Sequence, residues 1–321
     1  MLHLRVMSPA EFTDDVLTIL ESDDAVSGLA CVRGSALRPP GDLILADLAR
    51  EAANDIVEKL RATGLHHHGS IELEPVRTWI SLSGYLAEIR TPGYSADSVV
   101  WADVTQKSYE ETELNWTYLS FMTLATVLAG IAIVVDSQVL VIGAMVLGPE
   151  FGAIAALGVA LVRRRGALLG RAIATLLSGF AVAIFLAFIA ALGARALGWI
   201  TVDVVTGDRP ETAFIYTPDK WSFVVALIAA AAGVLSLTSA KAGALVGVFI
   251  SVTTVPAAGN IALGLAFGIG SAVWGSVLQL VVNLAGMALA GWATLALQNF
   301  VWSRISLRRA RTVERARRRM L

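Results

Sequence analysis

Glu150 is the one ionisable side chain set deep inside the long apolar runs between Thr117 and Phe300. It follows a proline in Ile142-Gly143-Ala144-Met145-Val146-Leu147-Gly148-Pro149-Glu150-Phe151-Gly152. A charge at mid-bilayer costs about 2.5–3.5 kcal/mol or more, so such a residue faces a protein interior or a water-filled path. A carboxylate held there is expected to exchange protons near neutral pH. Pro256 interrupts a later apolar run in the same way. Each proline removes a backbone donor and frees a carbonyl, and in lipid these groups must find partners or water. Thr253, Thr254 and Asn260 surround the second interruption, and Gln279 and Asn283 fall four apart on one face of the last run. Pro149, Glu150, Gly152, Pro256, Asn260, Gln279 and Asn283 therefore form a candidate transport pathway near the midplane. The competing reading for Gln279 and Asn283 is bonding to neighbouring helices, worth under about 2 kcal/mol each.

A second candidate lies near the N-terminus. Arg33, Gly34, Ser35 and Arg38 occur in a stretch, Arg33 to Asp42, that reads as a loop and could hold the phosphate or carboxylate of an anionic effector. His66-His67-His68 offers imidazoles, but consecutive side chains splay apart, so a solvated turn is expected and no metal site. No histidine follows His68, and the apolar runs hold no nucleophile–base pair, which argues against an enzyme and implies no cofactor. The single cysteine, Cys31, excludes an intrachain disulfide and reads as a small core residue on a strand.

The elements that must carry these residues divide the chain in two. Residues 1–116 hold 19 acidic and 9 basic side chains, and residues 117–321 hold 7 and 16, so a net charge of −1 hides a strongly polarised chain. The first part is long enough to bury its own core. Leu2–Val6 alternates as a strand, and Ser8-Pro9-Ala10-Glu11 reads as a capped start for a helix bearing Phe12, Val16, Leu17 and Leu20. Val26–Val32 and Leu43–Leu48 read as strands, Ala49–Thr63 as a helix closed by Gly64, and Ser70–Val76 as a fourth strand. The order βαββαβ is the ferredoxin-like plan over residues 1–78, which hosts many functions and proves none. Residues 79–116 read as a linker or amphipathic connector, with Glu110, Glu111 and Glu113 on a solvated helix face. No basic leader followed by a continuous apolar stretch opens the sequence, so this domain is expected in the cytosol.

About 20 apolar residues are needed to cross a bilayer. Thr117–Val135, Val139–Val162, Ile173–Leu197, Trp221–Leu237, Ala242–Phe267 and Ser271–Val301 meet this, giving a six-span membrane domain over 117–301. Arg163, Arg164, Arg165, Arg171, Lys241 and the basic tail, residues 302–321, fall on one side. Arg195, Arg209 and Lys220 fall on the other, diluted by Asp136, Asp203, Asp208, Glu211 and Asp219. The positive-inside rule makes the first side cytoplasmic, with both termini there, as in a bacterial inner membrane. The tail suits the anionic leaflet or the acidic domain better than nucleic acid. Gly152, Ile154 and Ala155 after Pro149 match Gly259, Ile261 and Ala262 after Pro256, and the same shift pairs Gly179 with Gly286. Two three-helix copies of this kind would insert in opposite senses, a 3+3 inverted repeat of the type used by secondary transporters.

On these residues the chain resembles the prokaryotic membrane family called domain of unknown function 389. The resemblance rests on Ile142-Gly143-Ala144-Met145 with its following proline, on Val255-Pro256-Ala257-Ala258-Gly259, and on Asn283-Leu284. It implies a soluble domain ahead of a membrane region and no particular substrate. The family pattern has an apolar residue where this chain has Glu150, and a double proline where it has Pro256-Ala257. The expectation is a homo-oligomeric transporter or channel-like protein for a small solute or ion, regulated by its cytosolic domain. The rival is a membrane-bound sensor whose soluble domain binds a metabolite.

Overall fold

The computed structural model describes residues 1–95, 98–207, 209–215, 220–238 and 253–320, and the chain forms two compact units. Asp208, Asp219, Lys241 and the start of the fifth apolar run lie outside the described residues.

The first unit takes in residues 1–104 together with 238–240 and 298–321, and is built on β1 (Leu2–Ser8), α1 (Ala10–Glu21), β2 (Val26–Leu37), β3 (Pro40–Leu48), α2 (Ala53–Ala62) and β4 (Ser70–Pro75). The strand order is β2-β3-β1-β4, and every neighbouring pair is antiparallel. This is a small four-stranded sheet with helices between its strands, in the expected βαββαβ order. Alternation along β1 sends Leu2, Leu4 and Val6 inward, where they meet Ile44, Ala46 and Leu48 of β3. Val16 and Leu20 of α1 and Ile56 and Leu60 of α2 close over that face, all fully buried.

Three expectations need correction. Ser8 does not cap α1: it ends β1, its hydroxyl donates to the Pro9 carbonyl, and no side chain caps the helix. The strand pairing of Ser8 with Asp42 claims that residue first. The stretch Arg33–Asp42 is not a loop. It is the extended arms of a β2–β3 hairpin, with Ala36 opposite Gly41 and Leu37 opposite Pro40, after a register shift beyond Val32. Finally, α2 is preceded by a 3-10 turn at Arg50–Ala52, which shortens the α-helix to ten residues.

Beyond β4 come α3 (Leu82–Arg90) and α4 (Trp101–Glu111). Residues 98–101 are tied to α2: Arg50 Nε donates to the Ser98 carbonyl at 2.9 Å, Asn54 Nδ2 donates to the Val99 carbonyl at 2.7 Å, and the Trp101 N–H returns to Asn54 Oδ1 at 3.0 Å. Val100 enters the core of the first unit. His68 stacks on Phe12 with ring centroids 5.6 Å apart, while His66 and His67 stay in the turn before β4.

The second unit, residues 105–237 and 241–297, is helical where it is described. Its described elements are α5 (Trp116–Val134), α6 (Gln138–Leu147), α7 (Glu150–Val162), α8 (Gly166–Ala196), α9 (Val202–Thr206), α10 (Lys220–Thr238), α11 (Thr254–Phe267) and α12 (Gly270–Met320). Three stretches, α5, α8 and Gly270–Val301 of α12, are long and apolar enough to cross a membrane, and α6 with α7 passes the same test as one span bent by 55°. The apolar parts Phe223–Thr238 and Thr254–Phe267 are shorter. Helix α11 packs against α5, α6 and α8 and is enclosed nearly all round, with Leu265 its one exposed residue. A helix apolar on every face is a buried helix, and this one carries its only amide, Asn260, into that interior.

Candidate functional site

The break between α6 and α7 consists of Gly148 and Pro149, so Glu150 becomes the first residue of α7. Proline suits that place, since the first N–H groups of a helix lack intrahelical partners anyway. Pro256 is used similarly: it is the third residue of α11 and sits in the first turn, so it opens a helix and does not kink one. Two short helices, α7 of 13 residues and α11 of 14, therefore both begin beside a proline.

Those two beginnings meet. Thr254 Oγ1 donates to Glu150 Oε1 at 2.7 Å, and both residues are buried, at 0% and 4% exposure. One position earlier, Thr253 Oγ1 accepts from Asn283 Nδ2 at 2.7 Å and from Gln279 Nε2 at 3.3 Å. The four-residue spacing of Gln279 and Asn283 puts both amides on one face of α12, as their sequence positions required. Glu150, Gln279 and Asn283 are thus joined through the Thr253-Thr254 pair. Asn260 is not part of this junction. It lies nearly two turns along α11 and donates to Ser276 Oγ at 2.8 Å.

Two acceptors at the junction are buried without a partner among the described residues, Glu150 Oε2 and Asn283 Oδ1. Unsatisfied buried acceptors are costly, of the order of 1–3 kcal/mol each, and in a folded protein they call for an explanation. The Glu150 carboxylate folds back over the break: a methyl group added at Gly148 would run into Oε2 and stand 2.7 Å from Val255 Cγ2. Helix N-termini carry partial positive charge from their free N–H groups, so two of them facing each other favour a carboxylate at this point.

Two residues whose role was not evident in the sequence, Tyr118 and Glu111, lie against glycines of α8 and α7. Tyr118, in the first turn of α5, is buried with its hydroxyl unpartnered among the described residues, and its ring lies against Gly179 of α8, where an added methyl would stand 2.7 Å from Cε1. Glu111 does not simply face solvent. Its carboxyl end lies over Gly152, where a methyl group would stand 2.7 Å from Cδ, although the residue keeps much of its surface open to water. Burial, then the adjacent Glu110, raise the Glu111 carboxyl above the usual carboxylate range. Thr175 Oγ1 and Arg171 Nε of α8 donate to the Thr112 carbonyl at 2.7 and 3.3 Å, which fixes the end of α4 beside α5 and α8. Only the acidic run at 110–113 hinted at Glu111; nothing in the sequence singled out Tyr118.

The hairpin residues are placed otherwise. Arg33 pairs with Asp14 at 2.9 Å, the Ser35 hydroxyl donates to the Val32 carbonyl at 2.8 Å, and the Gly34 N–H donates to Asp42 Oδ1 at 2.7 Å. That backbone bond, then the Thr13 hydroxyl, hold Asp42 below the usual carboxylate range. Arg38 lies at the tip of the hairpin, before Pro39. Two of the four, Gly34 and Ser35, therefore spend a polar group on the hairpin itself, and Arg33 spends its guanidinium on α1. Among the described residues no cluster of three or more His, Cys, Asp or Glu side chains is placed to hold a metal ion.

Residues 145–289 match the family described as domain of unknown function (DUF389). The match runs from inside α6 to inside α12 and so takes in both proline breaks and Glu150. No curated protein and no solved structure gives a significant match.

Proposed function

We propose that the helical unit is a transporter or channel-like protein for a small solute or ion, acting where the first turns of α7 and α11 meet. The observation that carries this reading is the buried hydrogen bond from Thr254 to Glu150, which joins the two helix breaks. Broken helices whose N-termini converge inside a bundle are the usual construction of a midplane binding site. The unspent groups there, Glu150 Oε2 and Asn283 Oδ1, are both acceptors, so the solute is one that offers N–H or O–H groups or a positive charge.

The architecture we infer is six spans in a 3+3 inverted repeat, with α6–α7 and the run ending in α11 as the interrupted middle spans. The packing of glycines supports it. Gly179 in α8 seats the ring of Tyr118 from α5, and Gly286 in α12 seats the ring of Phe223 from α10, where an added methyl would stand 2.9 Å from Cε2. These are the first and third helices of each proposed copy. Charge asymmetry orients both termini to the cytoplasm of a cell with an inner membrane. We assign the first unit a regulatory role, with an anionic effector at Arg33, Gly34, Ser35 and Arg38, and the whole a homo-oligomeric state.

The test is a ligand screen by thermal shift on the full chain, using small cations and hydrogen-bond donors, followed by flux of the hits into liposomes. A hit that is transported by the parent protein, and whose flux loses its pH dependence in Glu150→Gln, fits the reading. Hits that stabilise the protein equally in the parent and in Glu150→Gln, and that cross no liposome membrane, move the assignment to the sensor.

A further inference from the structure

Helix α3 is built inside out. Ser81 caps it, its hydroxyl accepting the Gly84 N–H at 3.1 Å, and its small or polar side faces the first unit: Gly84 and Ala87 are buried, and the Glu88 carboxylate accepts from the Met1 amino group at 3.1 Å. The Trp79 ring closes over Gly84, where an added methyl would stand 3.0 Å from Cζ3, and the Thr91 hydroxyl donates to the Ala87 carbonyl at 2.7 Å. The helix is thus held in one rotational setting. Leu82, Tyr85, Leu86 and Ile89, spaced three and four apart, form the opposite stripe and are 76%, 58%, 38% and 49% exposed, with Ile80 ahead of the helix at 99%. A surface helix ordinarily turns such a stripe to its own core. Four large apolar side chains directed away from it, on a helix anchored by its polar side, mark a contact surface.

We propose that this stripe rests on a lipid surface, with α3 as an interfacial helix on the membrane that α5 crosses. The inference rests on the reading of α5 as a membrane span. Helix α3 ends at Arg90 and α5 begins at Trp116, so the bilayer that holds α5 is tethered within reach of α3 in every molecule. The charges around the stripe suit an anionic leaflet. Residues 1–116 are strongly acidic overall, yet between Pro75 and Ala96 the only acid is Glu88, and its carboxylate is spent on the Met1 amino group. Arg77 and Arg90 are exposed at the two ends of the segment, where cationic heads meet headgroups while their stems lie along apolar surface. Tyr85 and Tyr94, both exposed, supply amphipathic rings of the kind that collect at the interface. A second copy of the chain fits this face less well, because a twofold contact would bring two arginine pairs together with no acid free to answer them.

The experiment is fluorescence quenching on the full chain in phosphatidylethanolamine–phosphatidylglycerol vesicles, made with and without lipids brominated on the acyl chain. In a Cys31→Ser background, a single cysteine carrying a bimane label replaces Leu86 or Ile89 on the stripe, Asp15 on the exposed side of α1, or Leu124 on the exposed side of α5. All four positions are exposed, so the substitutions are expected to leave the fold intact. Brominated lipid should quench the labels at 86, 89 and 124 by about twofold or more and leave the label at 15 unchanged, with aqueous iodide doing the reverse. Lipid quenching at 124 but at neither stripe position, with both of those open to iodide, would overturn the lipid surface and leave the span standing. Shielding of 86 and 89 from both quenchers also overturns it, and a disulfide between copies carrying Leu86→Cys would then make the stripe a contact between copies. No lipid quenching at 124 defeats the span itself, and the docking of α3 with it.

Discussion

Thr254→Val tests the junction with the least disturbance. Valine matches threonine in shape, so the packing of this fully buried residue is kept while its hydroxyl is removed. The change takes away the one side-chain hydrogen bond seen for the Glu150 carboxylate among the described residues and leaves both its oxygens bare. Stripping a partner from a buried acceptor costs about 1–3 kcal/mol, whereas hydrogen bonds between membrane helices average about 0.6 and reach about 1.7 kcal/mol. Orphaning a carboxylate belongs at the upper end of the second range, so about 1–2 kcal/mol is expected. The assay is equilibrium unfolding of the full chain in mixed micelles, set up as a double-mutant cycle with Glu150→Ala. Thr254→Ser is the control, losing a methyl worth about 0.8 kcal/mol but keeping the bond. A coupling energy of about 1 kcal/mol or more is expected between positions 150 and 254. Coupling under about 0.5 kcal/mol, the level seen for independent sites, would refute the contact on which the site is built.

Gly148→Ala forces a methyl against Glu150 Oε2 and Val255, so it should cost about 1–3 kcal/mol by overpacking and lose much of that penalty in a Glu150→Ala background; equal penalties in both backgrounds would mean that the carboxylate does not lie over the break. A fragment of residues 1–104 should be more stable in urea unfolding than residues 1–78 by at least about 1 kcal/mol, because Val100 joins the core and Asn54 and Arg50 hold residues 98–101; equal unfolding free energies would refute that clasp. In the longer fragment, Asp42 has a depressed folded-state pKa, so its contribution to stability is complete above the unfolded value of about 3.9 and is lost as pH falls below it. Asp42→Asn should therefore be less stable than the parent at neutral pH, with the gap closing in acid, and a gap constant across that window would contradict the assignment. For orientation, in a Cys31→Ser background, cysteine at the exposed position Glu211 should react with an impermeant reagent added outside intact cells while cysteine at Ser306 stays protected; the reverse pattern would invert the topology.

What the sequence made legible follows from what each signal depends on. Strand alternation in Leu2–Val6 and helical spacing of Val16 and Leu20 depend on one buried face, and the sheet order built from them agrees with the expected plan. Glu150 was legible because a lone carboxylate in apolar surroundings admits few explanations. The hairpin arms were misread because Arg33, Gly34, Ser35, Pro39, Pro40 and Gly41 carry turn chemistry. Here that chemistry is absorbed by a register shift and by the Gly34–Asp42 bond across the two strands. The Ser8 capping signal failed for a related reason: the same residue also continues β1, and pairing with Asp42 satisfies it first. Tyr118 was illegible in principle, and of Glu111 the sequence showed only an acidic run. Their significance lies in contacts with glycines of α7 and α8, tens of residues away along the chain, and no local pattern encodes such a contact.

The same glycine contacts argue for why the two breaks should act as one device. Phe151 of α7 lies on Gly233 of α10, where an added methyl would stand 2.8 Å from Cε1, and Gly158 of α7 meets the backbone of α12 at Gly291, 3.0 Å from the carbonyl carbon. In the other direction, Gly259 of α11 meets the backbone of α5 at Gly130, 2.9 Å from its nitrogen, and α11 also packs on α8. Each short helix thus touches the first and third helices of the opposite proposed copy, and α7 packs along α8 of its own as well. Were one proposed copy to move against the other, the Thr254–Glu150 bond would span the boundary between them. Protonating Glu150 turns its charge-assisted bond with Thr254 into a neutral one of roughly half the strength, which loosens the contact resisting the displacement. Proton binding and the opening of the junction would then be linked by that single bond, and Thr254→Val should uncouple them while leaving Glu150 free to titrate.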